Sequence, residues 1–484
     1  MSISSALSNA LSGLSASAKS AEVVSNNLAN VLTPGYAARE LALSSRGDGR
    51  GGGVLVDGIT RRVDAGLLSE RRQADGELAR ASGRAGFLTR LESLAGLPGE
   101  TGSLASTITG FSQALAAAAA RPEEDIRLEA AVAGARDIVA KINDLSRGIQ
   151  AARMQAEERI VQAVDRANEA LQRVQRLNAR IVSADSAGHP TASFEDQRRV
   201  AIDSLAEIIP VRLAQRESGA LAIYTRGGNA LLDGRAATLT FSPANFVTAA
   251  MTHESGALNG LEIDGEPVNP SGADSPFDGA ALAAHFEVRD RLAPDAQAQL
   301  DALARDLVER FQDPGLDATR APLDAGLFTD SGARFDPVNE VGLAGRLSVN
   351  VAVDTEAGGA AWRLRDGLGA TTPGPIGNAA LLHHLADAID QNAPLASGKL
   401  GATARSTSDH AAAFLSHIGQ QRLAADREVT FSTANQSALA QTELGQGVDS
   451  DAQMQKLLLV EQAYNANARM ITIVDEMIDT LLRI

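Results

Sequence analysis

Cysteine is absent from the 484-residue sequence, which excludes disulfides, thiolate metal sites, iron-sulfur clusters and a catalytic thiol together. Aromatic residues make up only 3%, with Trp362 the single tryptophan, so ring-lined cofactor pockets and base-stacking platforms are poorly supplied. Positive charge is in deficit. Against 60 Asp+Glu stand 44 Lys+Arg, a formal net charge of -16, the wrong sign for a chain that neutralises nucleic-acid phosphates or anionic lipid. Long apolar runs are missing as well: Ala114 to Ala120 falls far short of the ~18 residues a membrane span needs, so no membrane insertion is expected. The Ser/Ala-rich start has no basic residue before Lys19, so a cleavable secretory leader is not expected either.

What is present begins at the two ends. At ~100 to 200 residues per domain the length predicts two to four domains. From Met1 to Ala38 only Lys19 and Glu22 carry charge, which points to a segment that meets a partner. Ile3, Leu7, Ala10, Leu14, Ser17, Ala21, Val24, Leu28 and Val31 are spaced alternately four and three apart, a thin heptad seam broken by Ser17. Leu457, Val460, Tyr464, Asn467, Ile471, Val474, Ile478 and Leu481 repeat that spacing at the other end, with Asn467 as a polar, register-setting member. The two seams are expected to pair in an assembly, with both ends mobile until neighbouring copies surround them. On that expectation, aspartates at Ile471 and Val474 block assembly and spare the core.

Between the ends, Pro122 with Glu123, Glu124 and Asp125 reads as the first turn of a long helix. Apolar positions from Leu128 through Ile149 and from Ile160 through Ile181 continue it to Gly188 and Pro190. If Gly148 does not break the run, ~60 residues make a rod of about 90 Å. The texture changes at Pro210. Val211 to Leu213, Leu221 to Thr225, Ala230 to Leu232 and Ala237 to Phe241 are short β-prone runs, and Leu261 to Val268 carries a hairpin signal at Asp264-Gly265. Helical periodicity resumes from Ala280 to Phe311, Leu347 to Val353 reads as a strand, and helices return at Asn378 to Asp390 and Thr403 to about Glu443. The fold class is therefore mainly α with inserted β modules, the chain ends forming an α-helical coiled coil. The expected domains are 1–45 plus 432–484 (inner tube), 46–206 plus 283–431 (long-helix bundle), and 207–282 (β-rich, outer and dispensable for polymerisation).

Catalytic and cofactor constellations are not legible. Gly47, Gly49 and Gly52 match G-x-G-x-x-G but precede a strand-like run, the wrong context for a dinucleotide turn. His383 and His384 point about 100° apart on a helical pattern and cannot share an ion, and His410 and His417 lie two turns apart. Asp449 and Asp451 read as the cap of the last helix. No enzyme, metal or cofactor is expected.

Residues Ser25-Asn26-Asn27-Leu28-Ala29-Asn30-Val31-Leu32-Thr33-Pro34-Gly35-Tyr36 resemble the N-terminal signature of bacterial flagellar rod, hook and hook-associated proteins. Gly447-Val448-Asp449, Glu461 to Arg469 and Asp475 to Leu482 resemble the matching C-terminal end. In the interior, Gly53 to Val56 with Ile59-Thr60-Arg61, Leu177 to Ile181, Gly219 to Tyr224, Gly227 to Leu232, Phe286 to Asp290, Leu300 to Ala304 and Gly326 to Thr329 are similar to the hook-associated protein 1 family, the hook-filament junction proteins. Asp196-Gln197-Arg198-Arg199 departs from the family at its last position, where an acid is usual. The resemblance implies a non-enzymatic structural subunit forming a homo-oligomeric ring at the hook-filament junction. Its implied partners are hook protein, a second hook-associated protein, and a cytoplasmic export chaperone on the C-terminal helix. It further implies an extracellular, flagellar location reached by type III export. Another axial protein such as hook protein is the alternative.

Overall fold

A computed structural model describes residues 3–46, 52–270, 272, 275–400 and 402–483. The chain opens with α1 (Ile3–Ala29) and a hairpin of β1 (Arg39–Ser45) and β2 (Val54–Arg61), then runs through α2 (Ala65–Ala95), α3 (Leu104–Ala120), α4 (Asp125–Ser186) and α5 (Ala192–Ile208). Seven short strands follow: β3 (Val211–Gln215), β4 (Leu221–Thr225), β5 (Ala230–Asp233), β6 (Arg235–Ala236), β7 (Leu239–Phe241), β8 (Leu261–Ile263) and β9 (Glu266–Val268). Next come α6 (Ala281–Glu287), a π turn at Val288–Leu292 and α7 (Ala293–Gln312), then β10 (Phe328–Asp330), α8 (Leu343–Arg346), β11 (Leu347–Val349), α9 (Trp362–Asp366) and α10 (Ala380–Asp390). The last two helices are α11 (Thr407–Gly445) and α12 (Ser450–Leu482). Its sheets are small and antiparallel: β1-β2, β3-β4-β5-β6, β7-β8-β9 and β10-β11. The expected fold class, mainly α with inserted β material, is the one found.

The long rod is real. Gly148 does not interrupt α4, which runs 62 residues, about 90 Å at ~1.5 Å per residue. A side chain at Gly148 would sit 2.4 Å from Leu94, so the glycine lets α2 approach closely. The start is corrected by one turn: the helix begins at Asp125, while Glu124 holds Arg121 at 2.9 Å and Arg127 at 2.5 Å beside it. The strand expected at Leu347 to Val353 is limited to β11, since Val351 and Ala352 turn away after pairing with β10 ends.

Two apolar cores form along this one helix. The first gathers Leu128 to Ala156 of α4 with α2, α3, α7, α10 and α11, around Phe111, Phe311 and Phe328, whose ring centroids lie 5.1–6.1 Å apart. The second gathers Ile160 to Val174 of α4 with Ile202 and Leu205 of α5 and with Ile223, Leu231, Leu232, Leu239, Leu261 and Ile263 from the strands. Between the cores lies a buried polar node. Arg289 donates to Glu157 at 2.8 Å with both side chains almost fully enclosed, and its guanidinium stacks 4.8 Å from Phe286 and 5.7 Å from Phe241. Arg153 donates to the Arg289 carbonyl at 3.0 Å and to the Thr248 carbonyl at 2.8 Å, and burial pulls it down to about 10, so it stays charged.

This arrangement corrects the expectation that the β module is peripheral. Its entry and exit do adjoin, because a side chain at Gly76 would meet the carbonyls of both Gly279 (2.7 Å) and Ala206 (3.1 Å). The strands nevertheless supply one wall of the second core, and Asn168 and Asn178 of α4 bond the Leu239 and Leu221 carbonyls at 2.9 and 2.7 Å. Short strands cannot bury Leu231 and Leu232 against each other, so they use α4 and α5. Joining Leu205 to Ala280 through a Gly/Ser linker is therefore expected to strip that core and abolish a single cooperative thermal transition, as followed by circular dichroism.

His285 of α6 sits beneath this region. Burial first, then Arg159 and Arg166, lower its pKa from 6.5 to about 4. As pH falls from 6.5 towards about 4 the unfolded chain binds a proton that the folded chain excludes, so stability is lost over that window and unaffected above it. His285→Gln is expected to remove part of the acid sensitivity of the urea midpoint, at most about 3 kcal/mol.

Candidate functional site

The chain ends find each other within one molecule: α1 packs along α12. Of the seam residues, Val24 (1% exposed) and Val474 (4%) are buried. Leu7, Leu14, Leu457, Val460, Asn467, Ile471 and Ile478 are half-buried, and Leu28, Tyr464 and Leu481 are exposed. Asn467 lies opposite Gly13, where an added side chain would come within 2.7 Å of its Nδ2, and that Nδ2 donates to the Ala463 carbonyl at 3.0 Å. The polar seam position thus fits a notch, which fixes how far one helix can slide along the other.

The pairing is thin. Among the described residues α12 buries Val474 alone. Leu459, Met470, Ile473 and Met477 remain 44–65% exposed along a second stripe, about 100° around the helix from the seam at 100° per residue, and the exposed seam residue Leu481 borders it. Sequence reasoning counted one seam and missed this one. The signal was present in the unbroken run Leu457-Leu458-Leu459-Val460 and in Ile473 beside Val474.

The asparagine-rich stretch ends α1 and anchors it. Asn27 is buried with all its capacity used: Nδ2 donates to the Arg39 carbonyl (2.8 Å) and to Gln453 Oε1 of α12 (3.2 Å). Its Oδ1 accepts from the Tyr36 hydroxyl (2.8 Å) and the Arg39 N–H (3.0 Å). Burial raises the Tyr36 phenol above its ordinary value, keeping it a donor. The Asn30 Nδ2 donates to the Asn26 carbonyl at 2.9 Å, a side-chain bond that competes with the helix ladder where α1 ends.

A collar of charges then fastens these ends to the body. Asp196 of α5 accepts from Arg39 (3.1 Å) and Arg61 (2.7 Å), and Arg61 also reaches Glu195 at 2.8 Å. Arg71 of α2 spans Asp203 (2.7 Å) and Glu443 of α11 (2.6 Å), and Arg72 holds Asp203 at 2.6 Å. Arg199, the departure from the family pattern, finds its acid on α11 by pairing with Glu443. Arg198, brought to about 10 chiefly by burial, donates to Asn178 Oδ1 (2.8 Å) and the Gly219 carbonyl (2.7 Å).

The other sequence candidates fall elsewhere. Asp449 caps α12, accepting from Asp451 and Ala452 N–H at 2.9 and 3.1 Å. His383 and His384 are exposed, His410 is buried against the Ala393 carbonyl at 2.7 Å, and His417 meets Gln421. Among the described residues no group of three or more His, Asp or Glu is placed to hold a metal. Gly52 precedes β2, and Gly47 and Gly49 lie outside the described residues.

The chain is similar to known proteins over three segments. The family model described as "Flagellar hook-associated protein FlgK helical domain" matches residues 88–321. "Flagella basal body rod protein" matches 7–36 and "Flagellar basal body rod FlgEFG protein C-terminal" matches 443–484, the segments that contain most of α1 and all of α12. Flagellar hook-associated protein 1 of Bacillus subtilis (strain 168) is 21% identical over 98% of this chain and 97% of its own length. Flagellar hook-associated protein 1 of Escherichia coli (strain K12) is 24% identical over 49% of this chain and 44% of that protein. Residues 88–321 thus match the hook-associated helical-domain family, and the chain is similar to flagellar hook-associated protein 1 over nearly its whole length. A solved structure of the flagellar hook junction protein FlgK from Burkholderia pseudomallei is similar over 55% of this chain and 47% of that one, at 19% identity and a TM-score of 0.44. The match to the Escherichia coli relative spans under half of that relative's length.

Asn27→Ala is expected to leave the half-buried Arg39 backbone groups and the Tyr36 hydroxyl without these partners. The cost is about 2–3 kcal/mol, seen as faster amide exchange in β1 and the last turn of α1 with no change in the α4 core.

Proposed function

We propose that this chain is a structural subunit at the junction between flagellar hook and filament, and that it polymerises through its paired terminal helices. The observation that carries this is the incomplete burial of the pair. One seam joins α1 to α12, while a second stripe, Leu459 to Met477, keeps its apolar side chains in solvent. A contiguous apolar stripe of this kind is covered when copies of the chain surround it. The inner tube, residues 1–45 with 432–484, is the assembling unit. The remainder, 46–206 with 283–431 and the β-bearing 207–282, stands outside it.

Hook protein and a second hook-associated protein are the neighbours above and below the ring. A cytoplasmic export chaperone covers the same stripe of α12 before type III export to the cell exterior. Hook protein itself is the weaker alternative for this chain, since the family match over residues 88–321 favours the hook-associated interior.

The structure changes which residues test the reading. Val474 is consumed by α1, so an aspartate there disturbs the monomer as well as the polymer. Ile473, Met477 and Leu481 are exposed, so Ile473→Ser, Met477→Ser and Leu481→Ser together should leave monomer unfolding unchanged. Cells carrying that variant should lose attached filaments and shed filament protein into the medium. Normal swimming with filaments attached would sink the reading.

A further inference from the structure

Although the chain carries a net charge of -16, it has a basic surface groove whose α4 arginines lack acidic partners. The groove lies where α4, α5 and the turn after α1 meet, has a volume of about 660 Å³, and is lined by Arg173, Arg176 and Arg180 of α4 with Arg39 of β1. The α4 arginines stand three and four residues apart, so they share one side of the helix. All three are exposed. Among the described residues none of them forms an ion pair; Arg180 rests 5.9 Å from the Phe194 ring. Asp196, the acid in the groove, is already held by Arg39 and Arg61. Nearer the start of the helix Glu158, Asp165 and Glu169 interleave with Arg159 and Arg166, but Ala170 to Ala184 contains no acid, so the uncompensated charge is concentrated at the groove.

The strand-bearing face of α4 leads to the complementary feature, since β8 pairs with β7, which packs on α4. Asn168, Gln175 and Asn178 of α4 bond to the β strands, and they lie on average about 150° around the helix from the three arginines. On that far side the β8-β9 hairpin turns tightly at Asp264 (φ 51°) and Gly265 (φ 84°). Leu261 and Ile263 face the core, so Glu262 points outward, and Glu266 is exposed too. Of the three acids at this tip, Asp264 has a partner, Arg235, at 3.1 Å.

We infer that the Arg173-Arg176-Arg180 groove docks the acidic β8-β9 hairpin, Glu262, Asp264 and Glu266, of a second copy of this chain. The inference rests on the self-assembly reading above. Two unlike patches on opposite sides of α4 make a head-to-tail contact, the kind that generates rings or helical arrays. Copies bearing -16 each repel one another at long range, so a local match of opposite charge steers and registers their approach.

The absence of cysteine makes the test clean. Full-length copies carrying Arg173→Cys and Glu266→Cys are co-expressed in cells lacking the unaltered chain, and assembled flagella are treated with a short bismaleimide. A cross-link joining the two peptides from different copies is the expected product. Arg173→Glu, Arg176→Glu and Arg180→Glu together should reduce junctions per cell at least tenfold at unchanged monomer unfolding. Adding Glu262→Arg and Glu266→Arg to the same chain should restore them. Should the Glu variant destabilise the monomer, Gln at the three positions should still reduce assembly, more strongly at low ionic strength. The inference is overturned if the reversed chain assembles normally, if the reciprocal change does not restore assembly, or if Arg173→Cys links instead to copies carrying Asp475→Cys or Asp479→Cys in α12. Failure of the Ile473-Met477-Leu481 variant alongside normal assembly of the arginine variant would overturn this docking and leave the self-assembly reading standing.

Discussion

The fold hangs on the continuity of α4. One apolar face, kept in phase across Gly148 from Leu128 to Val174, supplies a wall to two cores that otherwise share no long element. Each core is completed by segments far apart in the chain, α10 and α11 in one and the strands in the other. A break in the rod would separate the cores at the Arg153-Glu157-Arg289 node. That node is a buried charge cluster whose enclosure is tolerable because the guanidiniums reach a carboxylate and backbone carbonyls.

The terminal helices are stabilised differently. Their interface is rich in alanine, serine and glycine, and α12 buries little, so apolar area contributes modestly. Geometry compensates: Gly13 against Asn467 sets the register, Asn27 ties α1 to β1 and α12, and the arginine collar fastens the hairpin to α5 and α2 to α11. A unit that is well positioned but incompletely covered suits a subunit whose remaining surface is completed by neighbours.

Apolar and electrostatic contacts divide the work of assembly on this reading. The exposed stripe of α12 gives cohesion without orientation, since hydrophobic burial is non-directional. A basic groove on one side and an acidic hairpin on the other give direction. The two act on different parts of the molecule and differ in their response to salt, because screening weakens the charge contact and leaves apolar burial nearly untouched.

The sequence by itself determined the elements whose physics is local. The heptad spacing marked α1 and α12, the unbroken 3.6-residue period marked α4, Asp264-Gly265 marked the β8-β9 turn, and Asp449 marked a cap. Tertiary structure decided what covers each face. Periodicity shows that Val474 and Ile223 are on apolar faces; it does not show that one meets α1 and the other α4, and so the β strands were read as peripheral when they close a core. The same holds for charges. Arg199 finds its acid at Glu443, 244 positions away in the chain, and Asn27 meets Gln453 at a separation of 426. Such pairs are set by where distant segments come to rest, and a linear spacing carries no record of that.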